Sequence, residues 1–261
     1  MISNHFWSLL RKIKNMARFL AMIFAGLMLI LICAAASSCE DSSEVSPLSE
    51  RQKQLLANHL ISVRSLPSAT KLNFDYSDIT SEDLAILEKT PNVQELYLNE
   101  SRNIDDSVAK YLCLVPKLKL LNLTKTNVSG SISPSINCLQ DLEELLVGTL
   151  AYPYPEPQDM ARSTPFPLFT DDFLVHLDLP KLRKLRMGIL CEISDAGLLQ
   201  LCKFPHLEEA ILYSPHITPE GIQQMELELE KSGRRLTYSE HNNTPSRSYR
   251  LTLRVGTIDE R

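Results

Sequence analysis

Two adjacent acidic pairs, Asp105-Asp106 and Asp171-Asp172, come nearest to the paired carboxylates of general acid–base chemistry. Ser107 and Lys110 have the spacing of a serine nucleophile with a lysine base, at the start of the same segment. His59, His176, His206, His216 and His241 are dispersed, and none stands at metal-ligand spacing from another histidine or a cysteine. Cys113, Cys138, Cys191 and Cys202 form no Cys-x-x-Cys pair. Glycine is too sparse for a phosphate-cradling loop. No catalytic residue, cofactor or metal is therefore expected.

The acidic pairs acquire another meaning from the elements that carry them. Taking Leu182 as the first position of a unit, the same register recurs at Ala69, Val93, Leu118, Leu142 and Leu207, in steps of 24, 25, 24, 40 and 25 residues. Positions four and six of each unit are apolar: Leu72/Phe74, Leu96/Leu98, Leu121/Leu123, Leu145/Val147, Leu185/Met187 and Ala210/Leu212. Such alternation is that of a short strand with one side in a core. An apolar anchor follows (Ile79, Ile104, Val128, Phe169, Ile193, Ile217), and then Thr80, Asp105, Ser129, Thr170, Ser194 or Thr218. All six of the latter are preferred helix N-caps, and Glu82, Asp83, Asp106, Asp171, Asp172, Asp195 and Glu220 crowd the first turns behind them. The acidic pairs thus read as caps and first-turn acids.

With ITSEDL, NIDDSV, FTDDFL, EISDAGL and HITPEG, these units resemble ribonuclease-inhibitor-like and cysteine-containing leucine-rich repeats. The unit LKLLNLTKTNVSGSISPSINCLQDL is similar to plant-type repeats. The resemblance covers residues 69–236. It implies an α/β fold, a right-handed leucine-rich repeat solenoid of about six repeats with a parallel sheet on its concave face and short helices on its convex face. It also implies a role in protein–protein recognition.

Residues 1–39 are of another kind. Arg11, Lys12, Lys14 and Arg18 precede an apolar run from Phe19 to Ala36, and Cys39 follows. This is the layout of a signal peptide or a membrane anchor, with the bulk of the chain facing outward. Ala36-Ser37-Ser38-Cys39 resembles a bacterial lipobox, in which Cys39 is lipidated; cleavage after Ala36 and an uncleaved anchor are the alternatives. Met16 is a second candidate start. Without residues 1–39 the chain carries 23 Lys+Arg against 32 Asp+Glu, a net charge of −9. That balance gives no general attraction for nucleic acid.

Residues 40–47 form a linker. Residues 48–68 form an N-terminal cap, with a helix expected from Leu48 to Val63, Ser49 and Gln52 in capping-box spacing, and Leu55, Leu56 and Leu60 on one side. An insert at 149–168 holds Pro153, Pro155, Pro157, Pro165 and Pro167 beside Tyr152, Tyr154 and Phe166. Residues 237–261 form a C-terminal cap or tail, in which Tyr249, Leu251, Leu253 and Val255 alternate with polar residues as a half-buried strand does. Cys113, Cys138 and Cys202 share one slot of the repeat and read as buried thiols. Helices pack about 8–10 Å apart, beyond the roughly 7 Å reach of a disulfide.

Strand residues between the core positions define the opposite face. Its central row is Asn73, Tyr97, Asn122, Leu146, Arg186 and Ile211, with Lys71, Glu95, Leu120, Glu144, Lys184 and Glu209 on one flank and Asp75, Asn99, Thr124, Gly148, Gly188 and Tyr213 on the other. Tyr97, Asn122, Leu146, Arg186, Ile211 and Tyr213, with Tyr152, Tyr154 and Phe166 of the insert, are the candidate partner-binding residues. The function expected is a membrane-tethered envelope protein that binds a protein partner. A glycan- or peptidoglycan-binding module and a structural spacer are the rivals.

Overall fold

Each apolar pair one residue apart lies in or at the end of a strand of three to five residues, and a short helical segment follows each cap residue. The computed structural model describes residues 47–148, 169–188, 191–243 and 248–257, all within the unit Pro47–Arg261. Its strands are β1 (Lys71–Asn73), β2 (Glu95–Tyr97), β3 (Leu120–Asn122), β4 (Glu144–Val147), β5 (Phe169–Thr170), β6 (Lys184–Met187), β7 (Cys191–Glu192), β8 (Glu209–Tyr213), β9 (Arg234–Asn243) and β10 (Ser248–Thr257). The α-helices are α1 (Glu50–Asn58), α2 (Ala109–Leu112), α3 (Asp171–His176), α4 (Asp195–Gln200) and α5 (Pro219–Lys231). In the earlier units the helical segment is largely 3₁₀, at Glu82–Lys89, Asp106–Val108 and Gly130–Ile136.

The architecture is mixed α/β, with one eight-stranded sheet ordered β1-β2-β3-β4-β6-β8-β10-β9. From β1 to β8 every pairing is parallel and in the register of the repeat: Leu72, Leu96, Leu121, Leu145, Leu185 and Ala210 lie side by side. All six are fully buried in a single apolar cluster. Their backbone ladder fixes the step and the leucines fill the space beneath it. β10 closes the sheet antiparallel to β8, and Leu251, Leu253 and Val255 bury against the same cluster. β5 and β7 form a separate two-stranded parallel sheet. Each of these strands is only two residues long, too short to show any alternation in the sequence.

At the N-terminal end, Ser49 and Gln52 form the expected reciprocal capping box of α1. The helix stops at Asn58, earlier than the expected Val63. Leu60 has φ of 58° and is 95% exposed, so it leaves the apolar side assigned to it. Arg51 of α1 donates to both carboxylate oxygens of Asp83, at 3.1 and 2.9 Å, and Gln52 donates to the Asp83 carbonyl. These bonds tie the cap to the first unit.

The caps behave as expected with one refinement. Asp105, Ser129, Ser194 and Thr218 accept from first-turn N–H groups. Thr80 accepts from Asp83 N at 3.3 Å, whereas the Thr170 side chain makes no cap bond. The first-turn acids do more than complement a helix end: they reach into the next unit. Asp106, Asp171 and Asp195 each hold the backbone N–H and hydroxyl of the cap residue 23 positions on, Ser129, Ser194 and Thr218. Every bond of this ladder is charge-assisted.

The ladder explains two glycines. A Cβ on Gly221 would stand 2.0 Å from Asp195 Oδ1 and 2.8 Å from Asp195 Cβ, and one on Gly197 would stand 2.0 Å from Asp171 Oδ1. Contact with the aspartate stem leaves no rotamer that clears it. Gly221→Ala should therefore cost about 2 kcal/mol despite alanine's better helix propensity. In urea unfolding, Gly221→Ala should cost less in the Asp195→Ala background, which removes the carboxylate but keeps the Cβ, than in the parent; additive losses would contradict the clash with the carboxylate.

The cysteine expectation is corrected. Cys113 and Cys138 are bridged, with Cα atoms 5.6 Å apart, and both lie at the surface. The interaxial distance of packed helices does not govern this pair. Cys113 caps the end of α2 and Cys138 follows the end of a 3₁₀ segment, where neighbouring chains run closer than helix axes do. Cys191 is a buried free thiol whose pKa burial pushes up to about 12, and Cys202 is partly buried.

Candidate binding face

The parallel register carries every second strand residue to the side away from the core. Asn73, Tyr97, Asn122, Leu146, Arg186 and Ile211 form one row there, and β10 extends it with Thr252. Lys71, Glu95, Leu120, Glu144, Lys184, Glu209 and Arg254 form a parallel row beside it.

Five strands thus bring together all the candidate binding residues that lie among the described ones: Tyr97, Asn122, Leu146, Arg186, Ile211 and Tyr213. Their surroundings differ. Tyr97 donates to Glu95 at 3.1 Å, and the Lys71 ammonium stands 4.3 Å from its ring centroid. Lys71 also pairs with Glu95 at 3.0 Å and holds that carboxyl below its usual range. Burial, reinforced by the Glu95 carboxylate, pushes the Tyr97 phenol up. Asn122 accepts from the Thr124 hydroxyl at 2.7 Å, and the same hydroxyl lies 2.6 Å from Asn99 Oδ1.

Leu146 and Ile211, expected as exposed aliphatics, are only 9% and 7% exposed, although neither joins the core cluster. Strand parity assigns a residue to a face; it does not leave that residue open. Arg186 sits between them in register and pairs with Glu209 at 3.3 Å. Its Nε is buried and has no hydrogen-bond partner among the described residues. An unpaired guanidinium donor between two aliphatic side chains suits a carboxylate or a carbonyl oxygen.

Tyr152, Tyr154 and Phe166 of the insert, and Cys39, lie outside the described residues. Among the described residues no helix is long and apolar enough to cross a membrane, and no group of three His, Cys, Asp or Glu side chains could hold a metal ion. The Ser107 hydroxyl donates to Asp105 at 2.6 Å and the Lys110 ammonium lies 4.7 Å from the Tyr111 ring centroid, so the two make no nucleophile–base pair. Asp105 is taken up by its cap and Asp106 and Asp171 by the ladder described above, while Asp172 lies in the first turn of α3.

No protein-family model matches the chain, and no curated protein is significantly similar to it in sequence. The reading of its face rests on its own residues.

A second set of charges runs along the turns that enter the strands. Lys119 and Arg183 flank Glu143 at 3.2 and 3.4 Å, Arg183 pairs with Glu208 at 2.7 Å, and Lys181 pairs with Asp141 at 2.5 Å. Each is an exposed pair of small individual value, but together they neutralise this rim. They leave the less uniformly paired central row as the distinctive part of the sheet.

These pairs set the acid response. Lys71 depresses Glu95, Lys119 depresses Glu143, Lys181 depresses Asp141, and the Ser107 hydroxyl depresses Asp105. A carboxyl whose folded pKa lies below its unfolded value stabilises the fold above the unfolded pKa, and that stabilisation is lost as pH falls through the folded value. Asp75, raised by burial, has the opposite sign. Four groups oppose one, so the urea midpoint should fall between about pH 5 and about pH 3. An unchanged midpoint over that range would contradict these pairings.

Proposed function

We propose that the chain is a leucine-rich repeat solenoid, tethered on the outer side of a cell membrane, that binds a protein partner through the sheet face away from its core. The single observation that carries this reading is the in-register row Asn73-Tyr97-Asn122-Leu146-Arg186-Ile211, displayed by six parallel strands fixed by one shared core. A rigid surface of this kind binds with little ordering cost. Tyrosine and arginine are residue types that anchor protein interfaces. The 24–25-residue step and the aspartate ladder from unit to unit support the repeat reading.

The outward location is supported by the basic-then-apolar segment before Cys39 and by the surface disulfide Cys113–Cys138, since such bridges persist in oxidising compartments. Lipidation at Cys39, cleavage after Ala36 and an uncleaved anchor would each place the chain there. No catalytic step is proposed. A glycan-stacking role is less favoured, because the described Tyr97 ring already carries the Lys71 ammonium over it.

Capture from an envelope extract tests this proposal. The chain should retain one or a few proteins that the Tyr97→Ala/Arg186→Ala variant, folded to the same urea midpoint, retains at least about tenfold less well. Equal capture by both would remove the face from the binding account.

A further inference from the structure

The charged residues of the outward face are arranged in depth as well as in rows. Glu144, Lys184, Glu209 and Arg254 follow one another across β4, β6, β8 and β10, so acid and base alternate along the flanking row. Arg186 stands beside them in the central row. Among the described residues this part of the face therefore holds three cations and two carboxylates. The carboxylates lie deep, each side chain 22% exposed, whereas Lys184, Arg186 and Arg254 are 43%, 37% and 73% exposed. An approaching molecule meets the cationic heads first. The internal pairs do not use these cations up. Glu209 is shared, at 3.3 Å from Arg186 and 4.0 Å from Arg254, and Glu144 stands 3.9 Å from Lys184. Only the first of these contacts is a hydrogen bond. The two guanidinium groups have more donors than the single Glu209 carboxylate can accept, and Arg186 Nε has no partner among the described residues.

We infer that Lys184, Arg186 and Arg254 receive an acidic segment of the protein partner, with the two arginines anchoring its carboxylates and Leu146 and Ile211 as the apolar floor beside them. This rests on the reading of the face as protein-binding and adds the chemistry that the partner brings. The occupant follows from charge complementarity. A basic segment would meet three exposed cations and find the carboxylates only beneath them. An uncharged segment would cover the surplus cations without pairing them, which costs more than leaving them in water. Carboxylates suit the planar fork of a guanidinium, which binds them through two parallel hydrogen bonds. The other end of the face has no such surplus, since Lys71 and Glu95 pair one to one at 3.0 Å. The chain as a whole has the opposite sign, with 27 Lys+Arg against 32 Asp+Glu and a net charge of −5. General attraction would therefore select basic peptides, and a preference for acidic ones has to come from a local patch.

The test pans the full-length chain, immobilised in mild detergent, against a phage-displayed library of short random peptides. Retained peptides should be at least about threefold richer in Asp and Glu than the unselected library. Arg186→Gln and Arg254→Gln, each checked for the parent's urea midpoint, should each retain at least about fivefold fewer of the acidic peptides. Arg254→Glu, at the most exposed of the three positions, should turn the preference toward Lys and Arg. Peptides that the Tyr97→Ala/Arg186→Ala variant loses but that are no richer in acid would overturn the inference and leave the binding face standing. No retention above that variant, or the same acidic enrichment by Arg186→Gln and Arg254→Gln, would also overturn it. The reading of the face itself fails on a different result, equal capture of envelope proteins by parent and variant.

Discussion

Leu121→Asp is expected to prevent folding. Leu121 is fully buried and lies in register between Leu96 and Leu145 near the middle of the sheet. Truncating such a leucine costs roughly 2–5 kcal/mol, and an unpaired carboxylate in the same place adds its desolvation, for a loss of at least about 5 kcal/mol. Natural domains have about 5–15 kcal/mol in total. The chain should therefore be recovered without a cooperative urea transition. The next residue is the control: Asn122 faces away from the core, and Asn122→Asp should shift stability by no more than about 1 kcal/mol. Equal tolerance of both substitutions would mean that the strand does not divide the two faces as described.

The second large effect is expected from the bridge. Cys113–Cys138 closes 25 residues of chain across two neighbouring units. The chain-entropy model gives about 3.5 kcal/mol for a loop of that length. Cys113→Ser/Cys138→Ser should accordingly lower the urea-derived stability by about 3 kcal/mol, and a reductant should act on the parent protein but not on the variant. Both sulfurs lie near the surface, so reduction needs no prior unfolding. Identical stability of parent and variant in oxidising buffer would show that the bridge does not form.

Much of the architecture was legible because it repeats. Positions four and six of each unit are apolar for a reason that recurs every 24 or 25 residues, and Leu72, Leu96, Leu121, Leu145 and Leu185 are neighbours in the sheet as that period requires. The capping box at Ser49 and the strand at Leu251-Leu253-Val255 were legible from local chemistry.

What was not legible depended on distances that a period does not state. Leu60 fitted a helical stripe, yet the backbone turns to positive φ there, a conformation that leucine's propensity does not announce. The bridge was hidden by equating the separation of helix axes with that of chain ends. The ladder could have been found: Asp106 and Ser129, Asp171 and Ser194, and Asp195 and Thr218 all stand 23 residues apart. Glycine follows the last two aspartates at a constant offset, at Gly197 and Gly221. Of the candidate site, the membership of the row was legible. The near-burial of Leu146 and Ile211 and the unpaired Arg186 Nε were not, because strand parity says which way a side chain leaves but not what meets it.

The most direct test of the binding account is site-specific photo-crosslinking in cells that make the protein, with a photoreactive residue placed at Tyr97 on the outward row or at Val175, an exposed position on α3. The account predicts a discrete crosslinked protein from position 97 and none from position 175. The same adduct from both positions, or an adduct from position 175 alone, would contradict it.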